Sequence, residues 1–144
     1  NLSYIQSNLP HVVVEPSITV SIYNILDLDQ IVIYLLDQGF KSRLCNVLLT
    51  PEYLACTILP DQARLLAVDR LVKLKEKIKS YHYNLLPGTR DQLDNDIDGV
   101  IGVLRNANTS HLLPEFHRET EKLDQKRNEN FATTFPELAE LIAL

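Results

Sequence analysis

The chain has 144 residues, 45% of them hydrophobic and 23% charged, with a formal net charge of −5. That length and balance support a buried core and exclude a disordered chain. The acidic charge argues against nucleic acid as a partner, and no apolar run approaches the roughly 20 residues needed to span a membrane.

Residue 1 is Asn, and Leu2, Ile5 and Leu9 follow at helical spacing. This reads as the end of a helix whose beginning lies outside the sequence, so the chain is expected to be part of something longer. No basic segment followed by an apolar run opens it, so no signal peptide is expected and a cytoplasmic location is. The two cysteines, Cys45 and Cys56, each sit among apolar residues. They read as reduced, buried thiols and not as a disulfide framework.

Asn8, Pro10 and His11 break the first segment. Pro16 confines Val12, Val13 and Val14 to an edge or a separate short piece. Residues 17–24 then alternate, with Ile18, Val20 and Ile22 on one face and Thr19, Ser21 and Tyr23 on the other, which predicts a strand. Asp27 or Asp29 is placed to cap a helix over about 28–38, with Leu28, Ile31, Val32, Leu35 and Leu36 as its apolar positions and Gly39 as its left-handed stop. A second strand is predicted over 44–49, apolar enough to be covered on both faces. Strand, helix, strand is the rhythm of a parallel sheet.

Residues 55–59 read as a third strand or a packed loop. Pro60 and Asp61 start a long helix with a stripe of Ala67, Leu71, Leu74, Ile78 and Tyr81, ending before Pro87 and Gly88. Leu93, Ile97, Val100, Ile101 and Leu104 mark the next helix, and Pro114 and Pro136 open two more. The composition divides the chain into an α/β segment, 1–60, and a helical region, 61–144. Two strands and one helix leave strand edges unpaired, so the first segment is expected to belong to a larger sheet or barrel.

Three groups of residues invite chemistry, and each has a plainer reading. Asp94, Asp96, Asp98 and Gly99 open like a calcium loop, but Arg105 stands where that loop needs a bidentate Glu, and an acidic helix face explains them. Arg70, Lys73, Lys75, Lys77 and Lys79 form a basic run without interleaved aromatics, which fits a solvated helix face near its C-terminus. His117 and Glu121 share a face at i, i+4 but lack a third metal ligand. No phosphate loop or nucleophile elbow is present, so no catalytic residue and no metal ligand is assigned.

Three segments together resemble the radical S-adenosylmethionine enzymes of the SPASM/twitch kind. Ile18-Thr19-Val20-Ser21-Ile22-Tyr23-Asn24 is similar to the fifth barrel strand. Asn46-Val47-Leu48-Leu49-Thr50-Pro51-Glu52-Tyr53-Leu54, with Ile58-Leu59-Pro60, is similar to the sixth strand and its exit loop. Phe116, Thr120, Leu123-Asp124, Arg127, Asn130-Phe131 and Pro136-Glu137-Leu138 resemble the C-terminal tail of twitch-type members, notably those of phages. The resemblance implies an α/β fold, the C-terminal part of a partial (β/α) barrel followed by a helical region. It also implies S-adenosylmethionine and a [4Fe-4S] cluster as cofactors of the whole protein. The Cys-x₃-Cys-x₂-Cys loop that holds the cluster is absent from this sequence. The implied partner is therefore a missing N-terminal half of the barrel, with a peptide or small molecule as substrate.

Ligands of parallel α/β folds sit at the carboxyl ends of the strands. Ser21 and Asn24 lie there on the first strand, where a hydroxyl and an amide would bond the methionyl or ribose part of the cofactor. Ser21 as a core hydroxyl and Asn24 as a turn cap are the plainer readings, and Asn46 is a weaker candidate. The competing function is a non-catalytic α/β-plus-helical interaction module, such as a phage accessory protein.

Overall fold

In a computed structural model, which describes residues 2–9, 11, 12, 14–40, 43–80 and 88–143, the chain is a mixed α/β structure dominated by helices. Helix α1 (Leu2–Asn8) leads to strand β1 (Ser17–Val20), helix α2 (Leu28–Asp37) and strand β2 (Arg43–Val47). Two 3-10 turns, Glu52–Leu54 and Cys56–Ile58, precede helices α3 (Asp61–Lys79) and α4 (Thr89–Asn106). A third turn, Ser110–Leu112, opens onto α5 (Leu113–Arg127), and the short helices α6 (Phe131–Thr134) and α7 (Pro136–Leu141) finish the chain.

The strands β1 and β2 are parallel neighbours, as their helical connection predicts, with Thr19 opposite Asn46 and Val20 opposite Val47. Among the described residues the sheet has two strands. Both strands are shorter than their sequences predict. β1 ends at Val20 and not at Asn24, because Asn24 folds back on the strand: its Oδ1 accepts from the Ser21 amide at 2.9 Å and its Nδ2 donates to the Thr19 carbonyl at 2.9 Å. An Asx side chain thus offers the backbone a turn in place of a ladder. Thr19 and Tyr23 therefore do not share one polar strand face. β2 covers 43–47 and not 44–49, yet pairing persists one step further, since the Leu48 amide donates to the Val20 carbonyl at 2.8 Å.

Helix α2 follows the expected pattern, with Leu28, Val32, Leu35 and Leu36 buried and Gly39 at φ +77° closing it. Asp27 occupies its N-cap position without a side-chain cap bond. The α3 stripe of Ala63, Ala67, Leu71, Leu74 and Ile78 is buried, and Tyr81 lies outside the described residues. All five stripe residues of α4, from Leu93 to Leu104, are buried. Residues 55–59 form a packed loop, with a Thr57 and Thr109 hydroxyl pair at 2.8 Å tying it to the segment before α5.

The compositional change near Pro60 marks the start of α3. It does not divide the core: Val20 and Ile22 pack in the same hydrophobic cluster as Leu71, Ile97, Phe116 and Ile142. Helix α4 lies against both β2 and α3. Asp96 makes the joint, accepting from the Leu44 amide at 3.1 Å and from Gln92 Nε2 at 2.7 Å. An outward amide of β2 is thereby capped by a helix side chain, one way to cover a strand edge. No helix among the described residues is long and apolar enough to cross a membrane.

Candidate functional site

The parallel pairing puts both strand ends at one edge, and the chain leaves them by two turns. After β1 comes Tyr23; after β2 comes the Glu52–Leu54 turn with Tyr53. The Ile22 amide donates to the Leu54 carbonyl at 3.0 Å and holds the two turns together. Helix α5 packs on the Glu52–Leu54 turn and against α6. Between these pieces lies a cavity of about 460 Å³, within the range of small-molecule sites.

Its walls are aromatic. Tyr23, Tyr53, Phe131 and Phe135 line it, with ring centroids 5.5 Å apart for Tyr23 and Phe135 and 5.2 Å for Phe131 and Phe135. Phe116, fully buried, supports Tyr23 and Phe131 from behind at 5.7 and 5.5 Å. Helix α5 supplies the polar side. Phe116, Thr120 and Asp124 recur at i+4, so they share one face, and Thr120, Asp124 and Arg127 line the cavity.

Burial pushes the Tyr23 phenol above its ordinary pKa, while the Thr120 hydroxyl nearby opposes the shift. Thr120 is only 4% exposed, and its hydroxyl lies beside the Tyr23 phenol. Asp124 supports the next element: its Oδ2 accepts from the Phe131 amide at 2.7 Å, at the start of α6. Asn128, at φ +55°, turns the chain out of α5, and Asn130 caps α6 by accepting from the Thr133 amide at 2.8 Å.

No family model, curated protein or solved structure matches the chain.

Ser21 and Asn24 are neighbours at the end of β1, but neither lines the cavity. The Asn24 amide is committed to its turn through both its oxygen and its nitrogen. Ser21 is half-buried, and its hydroxyl has no bond to a described residue. Asn46 is exposed on β2. Tyr23, Tyr53, Thr120 and Asp124 belong to the segments that carry the family resemblance, but the sequence names none of them as a binding residue. The signal for two of them was the Phe116, Thr120, Asp124 spacing, which places a hydroxyl and a carboxylate one turn apart beside an aromatic anchor.

The remaining candidates are structural. Lys75 bridges Asp98 at 2.6 Å and Asp94 at 3.2 Å, joining α3 to α4, so the calcium-like acids lie on a regular helix. The Asp98 bond first, then Asp94, raises the Lys75 pKa. Arg70 grips Glu137 with both terminal guanidinium nitrogens and donates to the Leu26 carbonyl at 2.7 Å, fastening α7 to α3. Lys73 and Lys79 pair with Asp69 and Glu76 on their own helix. The basic run is thus largely matched by neighbouring acids. His117 Nε2 is buried without a partner among the described residues, and desolvation lowers its pKa.

Cys56 is buried, and desolvation pushes its thiol up to about 11, so it is protonated and inert at neutral pH. Cys45 lies on β2, with its side chain outside the described residues. Among the described residues no three metal-ligating side chains converge. The residues present do not fit an iron–sulfur cluster, which generally needs converging thiolates.

Proposed function

We propose that this chain is the C-terminal portion of a radical S-adenosylmethionine oxidoreductase-type enzyme. Its two parallel strands belong to a partial barrel, and the cluster and cofactor cleavage belong to residues outside this sequence. One observation carries the reading: the three separated segments that resemble the family meet at one cavity. Tyr23 comes from the fifth-strand segment, Tyr53 and Leu54 from the sixth-strand exit, and Thr120, Asp124 and Phe131 from the C-terminal tail. That cavity lies beyond the carboxyl ends of parallel strands, where ligands of such folds bind.

In this reading the chain forms a wall of the active site and is inactive alone. Its aromatic surface excludes water and seats the apolar part of a substrate, and the α5 face orients its polar part. Ser21 keeps a hydroxyl without a bond to a described residue at the strand end for the cofactor, whereas Asn24 contributes by shaping the turn that presents it. The proposal carries a cytoplasmic location with it. Extending the reading frame upstream of Asn1 tests the assignment. A Cys-x₃-Cys-x₂-Cys loop within about half a barrel of sequence is expected. An upstream frame of that length without such a loop would leave the interaction-module reading in its place.

A further inference from the structure

We propose that the Tyr23 phenol, its oxygen occupied by the Thr120 hydroxyl, is the hydrogen-bond donor of this cavity and takes a neutral carbonyl oxygen carried on an aromatic body. The inference goes beyond the family reading. It rests on the cavity alone, and its failure would leave the upstream-frame test of the family untouched.

The direction of the bond between the two hydroxyls follows from where each can spend its proton. A hydroxyl carries one proton and can also accept. Thr120 Oγ1 is sealed from solvent, and no other described residue offers it a bond. The Tyr23 oxygen beside it is therefore the acceptor within its reach. Were the phenol to donate instead, the Thr120 proton would be buried with nothing to receive it, the costly outcome for a polar group. Thr120 thus donates, and the phenol keeps its own proton for another acceptor. Asp124 and Arg127 act on the phenol through their charges and not through a bond. Both line the cavity with Tyr23, so the phenol proton is left for an acceptor inside it.

The walls define the rest of the ligand. The rings of Tyr23, Tyr53, Phe131 and Phe135 enclose a space of about 460 Å³, suited to a flat aromatic body packed by tilted rings. Glu119, Asp124 and Glu129 line it against one cation, Arg127, which disfavours an anion. A neutral aryl ketone or aryl amide matches a single donor in such walls.

The test is a titration of the ¹⁵N-labelled chain with acetophenone, beside ethylbenzene, which lacks the acceptor, and sodium benzoate, which carries a charge. Saturable shifts of the Tyr23 and Phe131 amides are expected with acetophenone. Tyr23→Phe keeps the ring and should weaken acetophenone about two- to tenfold, as one neutral hydrogen bond is lost, while leaving ethylbenzene unchanged. Benzoate should bind more weakly than acetophenone. Thr120→Val is read by ¹³C titration of the Tyr23 ring. Loss of a donor to the phenol oxygen destabilises the phenolate, so the Tyr23 pKa should rise further. A fall would mean that the phenol donates to Thr120 and would overturn the proposal. So would absence of saturable binding, an equal effect of Tyr23→Phe on acetophenone and ethylbenzene, or benzoate binding as tightly as acetophenone, which would make Arg127 the recognising group.

Discussion

Asn24 shows how one side chain sets both a boundary and a limit on function. It supplies an acceptor to the Ser21 amide and a donor to the Thr19 carbonyl, so removing it strands two backbone groups. Asn24→Ala should cost roughly 1–3 kcal/mol of stability, measured by chemical denaturation. Ser21→Ala removes a hydroxyl without a bond to a described residue and should stay within about 0.5 kcal/mol. The alternation of Ile18, Val20 and Ile22 predicts a strand through this region, and it is legible only as far as Val20. Alternation records which residues are apolar; the capture of the backbone by an Asx side chain is local chemistry that competes with it.

His117 gives the pH dependence its sign. Burial lowers its pKa in the folded chain, so the unfolded chain takes up a proton first as pH falls. Stability should therefore decline as pH drops below the ordinary value near 6.5 and level off below the folded-state pKa. Thermal midpoints between neutral pH and about pH 5 should show this slope, and His117→Gln should flatten it. Cys56, with its thiol pushed up to about 11, should resist alkylation in the native protein at neutral pH and react on unfolding.

At the scale of elements, the acidic turn of α4 separates two kinds of carboxylate that look alike in sequence. Asp96 is 11% exposed and caps a β2 amide, whereas Asp98 is 57% exposed and pairs with Lys75. Asp96→Ala should cost about 1–3 kcal/mol because it leaves the Leu44 amide unpaired. Asp98→Ala should cost less than about 1 kcal/mol, as solvent screens its ion pair. Denaturant titration of the two variants side by side checks the order. The stripes of α3 and α4 were readable because five apolar residues at 3.6-residue spacing leave few alternatives. The short helix α6 was not, since only four residues form it and its start depends on Asp124 and Asn130, groups whose reach across a loop no periodicity records.

At the scale of the molecule, residues on both sides of Pro60 share one core, although composition divides the chain there. Composition responds to secondary structure, while the core responds to which faces meet. Phe116 sits at that meeting, fully buried and in ring contact with Tyr23 and Phe131. Phe116→Ala should cost about 3–5 kcal/mol and should lower the whole unfolding transition together. The mixed α/β class and the parallel strand pair were legible from the strand–helix–strand order. The cavity was not, because its walls come from segments about a hundred positions apart in the chain.

The central claim, that these segments form the carboxyl-end wall of a radical S-adenosylmethionine enzyme, is tested most directly by one assay. A polypeptide extended upstream through the barrel start is reconstituted anaerobically with iron and sulfide, given S-adenosylmethionine and a reductant, and assayed for 5′-deoxyadenosine. The extended protein should form 5′-deoxyadenosine, and the 144-residue chain treated in parallel should form none. An extended protein that holds no cluster and yields no 5′-deoxyadenosine, or a chain that yields it alone, would contradict the account.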